Sequence, residues 1–121
     1  MAVSRTVSLS SPWLDEREEE LVTEVLRSGR LSLGPTIDRF EEEFADAVGA
    51  PYAAAVSSGT AGLHLLCITA GVGPGDEVVT SPYSFVASAN CAIYEGATPV
   101  FADVDRRTLN LDPAAVESAI T

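Results

Sequence analysis

The amino-acid sequence predicts an α/β fold organised on a parallel sheet, and three observations carry that expectation. Strand-like runs recur at 52–57, 77–80 and 99–103, the first of them apolar without polar alternation, as in strands covered on both faces. Apolar segments that read as helices separate them at 61–70 and 84–95. The connections are short and marked by glycine, proline and serine, so successive strands pair in parallel through crossovers. With 121 residues, 46% of them hydrophobic, the chain has the capacity for one hydrophobic core.

Taken in order, residues 1–14 read as an extended arm, kept out of a helix by serine, threonine and Pro12, and residues 15–121 as one partial domain. Asp15 is placed as an N-cap with Glu18 three residues on, and Leu21, Val22, Val25 and Leu26 follow at helical spacing until Gly29 stops the helix. Gly34-Pro35 opens a second helix with Ile37, Phe40, Phe44 and Val48 on one stripe and Gly49 at its end. After the run 52–57, Ser58-Gly59-Thr60 breaks the strand and a buried helix follows over 61–70. Gly71 and Gly73-Pro74-Gly75-Asp76 turn the chain into the second strand, 77–80. A further helix over 84–95 closes at Gly96 before the third strand, 99–103. Asp112-Pro113 then opens a last helix, which Thr121 interrupts about two turns in. That interruption, with three strands where parallel sheets are normally larger, points to a piece of a longer protein.

Seven basic residues stand against eighteen acidic ones, a net charge of −11. A field of that sign repels phosphate backbones, which argues against nucleic acid and anionic membranes as partners. All seven basic residues are arginine, so no lysine is available for a Schiff base or a Walker loop. Cys67 and Cys91 lack metal or redox spacing and read as buried thiols. No signal-like or membrane-spanning stretch is present, which makes the cytoplasm the expected location.

Chemistry concentrates at Val56-Ser57-Ser58-Gly59-Thr60-Ala61-Gly62, which joins a strand end to a helix start. First-turn amides have no intrahelical partner, and with the helix dipole they attract anions. Gly59 allows close approach and Thr60 adds a hydroxyl, so a phosphate fits without lysine; an ordinary turn capped by Ser58 or Thr60 remains the alternative. Tyr83 and Phe85, after the second strand, are expected in the same crevice, with Phe85 as a platform for a planar ring or as a core residue. Asp103 and Asp105 read as turn carboxylates. His64 reads as a structural histidine, with no catalytic partner identifiable.

The blocks Ser28-Gly29…Gly34-Pro35…Phe40-Glu41…Phe44-Ala45, then 56–65, Gly73…Gly75-Asp76-Glu77-Val78 and 96–105 together resemble the opening of the DegT/DnrJ/EryC1/StrS aminotransferases, from about Pro12 onward. The resemblance implies a fold-type I pyridoxal 5′-phosphate (PLP) enzyme, here the N-terminal part of its large domain. Such enzymes transfer an amino group, usually from glutamate, to a nucleotide-linked keto sugar, and they act as homodimers. By the same resemblance Gly59, Thr60 and Ala61 cradle the PLP phosphate, Phe85 stacks on the pyridine ring, and Ser32 and Gly34 border the sugar. The family's Schiff-base lysine falls beyond Thr121, so these 121 residues are expected to be catalytically incomplete. The competing expectation is a non-catalytic module that keeps the phosphate site and binds a phosphorylated ligand or a partner.

Overall fold

A computed structural model describes residues 9–121, in two compact units that meet in sequence between Ala55 and Val56. Most of the predicted arm lies outside the described residues, and residues 10–15 carry no helix or strand.

The first unit is a helical pair. Helix α1, Glu16–Ser28, starts from Asp15, whose side chain accepts from the Arg17 amide at 2.8 Å, while the Asp15 amide donates to the Glu18 carboxylate at 2.7 Å. This is the predicted capping box, and it satisfies first-turn groups that no helical carbonyl can reach. Gly29 ends α1 in the left-handed region at φ 69°, where a side chain would be strained. Helix α2, Pro35–Val48, begins with proline in its first turn and ends at Gly49. Phe40 and Phe44 pack ring to ring on its apolar stripe, with centroids 6.0 Å apart.

The second unit is built around a β-α-β segment. Helix α3, Gly59–Thr69, leads through a glycine-rich turn into β1, Glu77–Thr80. Helix α4, Ala87–Tyr94, then crosses over to β2, Thr98–Phe101. β1 and β2 pair in parallel, with Glu77 opposite Thr98 and Thr80 opposite Phe101. Beyond β2, a loop closes on itself through a bridge between Val104 and Leu111, and α5, Pro113–Ala119, follows from Asp112. Cys67, Ala87, Cys91, Ala92, Ala97 and Ala102 form this unit's buried core, where α3 and α4 pack on each other and α4 lies against both strands.

The sequence expectation fails at one strand. Residues 52–57 join no ladder, the chain bends at Ser57, and Tyr52 and Val56 are exposed. A strand exists through its hydrogen-bonded neighbour. Here the Ala55 amide donates instead to the Glu41 carboxylate on α2, at 2.7 Å. The described sheet therefore has two strands, not three. Helix 61–70 was expected to be buried, yet Cys67 is the one buried residue of α3. Helix α4 starts at Ala87 and not at 84, because the chain bends over residues 82–84 and turns at Val86 before the helix begins. The last helix ends at Ala119, where Ile120 turns to extended backbone.

Candidate functional site

The site is assembled from the first turn of α3. Ser58 is the N-cap in extended backbone, and its hydroxyl accepts from the Ala61 amide at 3.1 Å, while its carbonyl accepts from the Gly62 amide at 3.0 Å. The Gly59 and Thr60 amides have no protein partner among the described residues. A Cβ placed on Gly59 would meet nothing within 4 Å, so the approach to these amides is open. The first turn of α3 carries no acid, in contrast to α1 with Glu16, Glu18 and Glu19. Two free amides, a hydroxyl and the positive helix end form a cradle suited to a phosphate dianion. Of the three residues expected to share it, Ala61 is the exception, since its amide is held by Ser58.

Phe85 follows β1 on the turn into α4 and is 76% exposed. It lines a hollow of about 260 Å³ with Ser81, Pro82, Ser84, Val86, Ala89 and Phe101. Phe101 ends β2, so the hollow lies at the carboxyl ends of the two parallel strands, the usual ligand position in such sheets. Tyr83, Gly59 and Thr60 are not part of its lining. The Tyr83 amide donates to the Ser81 hydroxyl at 2.9 Å, which fixes the turn.

Ser32 and Gly34 belong to the first unit, in the loop between α1 and α2. Gly34 is buried, and a Cβ there would lie 3.0 Å from the Arg30 carbonyl oxygen, so a side chain would have to push the loop open by a few tenths of an ångström. Ser32 is exposed. Its neighbour Leu33 adopts φ 48° and is 91% exposed, a strained conformation with the side chain turned to solvent.

Asp105 is a turn former, as expected. Its carboxylate accepts from the Arg107 and Thr108 amides at 3.0 and 2.8 Å, and hydrogen bonds from Thr108, then Arg107, hold its pKa below the ordinary aspartate value. Burial pushes the Cys67 thiol up, and its hydrogen-bonded neighbour Cys91 adds to the shift. His64 has a partner that the sequence did not reveal. Its Nε2 lies 2.5 Å from the Glu95 carboxylate, and Tyr94 stands edge-on to the ring at 5.2 Å. No spacing rule links residues 31 apart on two helices. Among the described residues no group of three metal-ligating side chains comes together, and no helix is long and apolar enough to cross a membrane.

Solved structures that share this α/β arrangement are aminotransferases, one of them in its PLP form. The chain belongs to the DegT/DnrJ/EryC1/StrS aminotransferase family, whose pattern matches residues 12–121. It is 54% identical over 112 residues to the spore coat polysaccharide biosynthesis protein SpsC of Bacillus subtilis, covering 93% of this chain and 29% of that protein. It is 44% identical over 116 residues to the GDP-perosamine synthase of Caulobacter vibrioides, covering 95% of this chain and 31% of that one. Among solved structures, a Streptococcus pneumoniae protein designated a sugar aminotransferase, in its PLP form, matches with a TM-score of 0.87 at 33% identity, over 97% of this chain and 30% of that one. The chain thus spans about 30% of the length of the relatives it matches.

Proposed function

We propose that the chain is the amino-terminal part of a PLP-dependent aminotransferase that moves an amino group from glutamate to the keto carbon of a nucleotide-linked sugar. The observation that carries the reading is the pair of unpartnered amides on Gly59 and Thr60, open to solvent at an acid-free helix start. Family membership and relatives named for nucleotide-sugar and polysaccharide chemistry support it.

In this reading the Gly59 and Thr60 amides and the Thr60 hydroxyl bind the cofactor phosphate, and Ala61 joins when its amide exchanges the Ser58 hydroxyl for a phosphate oxygen. Phe85 faces the ring, and Ser32 and Gly34 border the sugar. Bound PLP supplies the electron-withdrawing ring on which amino-group transfer depends. The chain's own residues contribute binding and orientation. They include no lysine, so the 121 residues alone hold the cofactor without bonding to it covalently and are inactive. The whole enzyme is a cytoplasmic homodimer.

Gly59→Pro is the decisive variant. Proline is tolerated in a first helical turn, and Ser58 already has the extended backbone that proline demands of its predecessor, so one amide is removed with the helix intact. In the full-length protein, affinity for PLP should fall roughly tenfold, the scale of one charge-assisted hydrogen bond, while affinity for pyridoxal is unchanged. Equal affinity of the unaltered protein for PLP and pyridoxal would overturn the cofactor assignment. Amino transfer from glutamate to a nucleotide-linked keto sugar by the same preparation tests the reaction. Phosphate binding without transfer would favour the non-catalytic module.

A further inference from the structure

We infer that His64 and Glu95 are positioning residues that set the rotation of α3 about its own axis and thereby aim Thr60 at the phosphate; this rests on the cofactor reading above. Helix α3 is apolar on nearly every side. Leu63, Leu65, Leu66 and Ile68 remain 37%, 49%, 65% and 47% exposed, so within this unit apolar burial favours one rotation only weakly, through Cys67. A polar contact does select one, because it is satisfied at a single azimuth, much as a buried polar residue fixes register in a coiled coil.

That contact is the His64–Glu95 pair at 2.5 Å, with side chains 37% and 24% exposed. Glu95 stands at the C-cap of α4, directly after Tyr94, whose ring lies 5.2 Å from that of His64 at an interplanar angle of 63°. Cys67, three residues after His64 on the same face of α3, is buried like Cys91 of α4, where the two helices pack on each other. Thr60 precedes His64 by four residues and shares that face. A rotation of α3 by one residue, about 100°, would swing the Thr60 side chain off it. The pair thus lies outside the cradle but determines where the cradle points.

The test uses the full-length protein with PLP and pyridoxal as probes, the thermal midpoint, and the 31P resonance of bound cofactor. Glu95→Gln and His64→Leu should each reduce the preference for PLP over pyridoxal by roughly tenfold, the scale of one misaligned charge-assisted hydrogen bond, and displace the 31P resonance. His64→Gln, which still presents an N–H to Glu95, should restore most of both. A lowered thermal midpoint with preference and resonance unchanged would overturn the inference and leave a purely structural pair. Unchanged values in every measurement would overturn it too. Glu95→Gln preserves side-chain size and carries the test if His64→Leu does not fold. Absence of any PLP preference in the unaltered protein instead removes the cofactor reading, and the inference with it.

Discussion

Asp105 shows how a single carboxylate can organise a loop. Two backbone amides and the Thr108 hydroxyl point at it, and Leu109 accepts a φ of 60° to close the same turn, its amide donating to the Asp105 carbonyl at 2.8 Å. Because these hydrogen bonds favour the ionised form, the folded pKa lies below the unfolded one. The stabilisation is therefore complete above the unfolded value and disappears as pH falls through the folded one. An Asp105→Asn variant should be less stable than the native chain at neutral pH. The two should converge in acid, below the ordinary aspartate range, when midpoints of denaturant unfolding are compared across pH. A constant gap at all pH values would show that the charge plays no part.

Among the elements, helix ends were the most legible part of the sequence, because a cap is a local event. Asp15 with Glu18, Pro35 after Gly34, and Asp112 with Pro113 each announced a start that the structure contains. The run 52–57 announced a strand with equal clarity and does not form one, since its apolar residues specify a wish for cover and not the neighbour that would provide it. The candidate site divides in the same way. The Ser58-Gly59-Thr60 helix start could be read from residue types, whereas the His64–Glu95 contact depends on how two helices come together. Ser58 also yields an element-level prediction. Replacing it by alanine removes the acceptor of the Ala61 amide and should lower stability by about 1 kcal/mol, the usual worth of an N-cap. Added phosphate should recover part of that loss, because the anion takes up the released amide; unfolding midpoints with and without phosphate would show it.

At the scale of the molecule, the apolar residues outnumber the places to bury them. Among the described residues no large side chain is fully buried, while Phe40, Phe44 and Val48 in the first unit and Leu66, Phe85 and Ile93 in the second are at least half exposed. Each Leu, Val or Phe left in water forgoes about 1.5–3 kcal/mol of burial free energy. The 121-residue chain on its own should therefore bind an environment-sensitive apolar dye and unfold over a broad range of denaturant. The full-length protein should exclude the dye and unfold sharply. A steep, dye-free transition of the isolated chain would contradict this.

Gly34 apart, the buried residues among those described are alanines and cysteines, with methyl groups and thiols where most proteins place leucine and phenylalanine. Such an interior has little left to lose by truncation, while any growth must be met by shifting the elements around it. Ala92, fully shielded from solvent at the heart of the second unit, illustrates the asymmetry. Glycine in its place would remove one methyl group, whereas valine would wedge α4 away from the strands it spans, so viable variation at such points is confined to trading one small group for another.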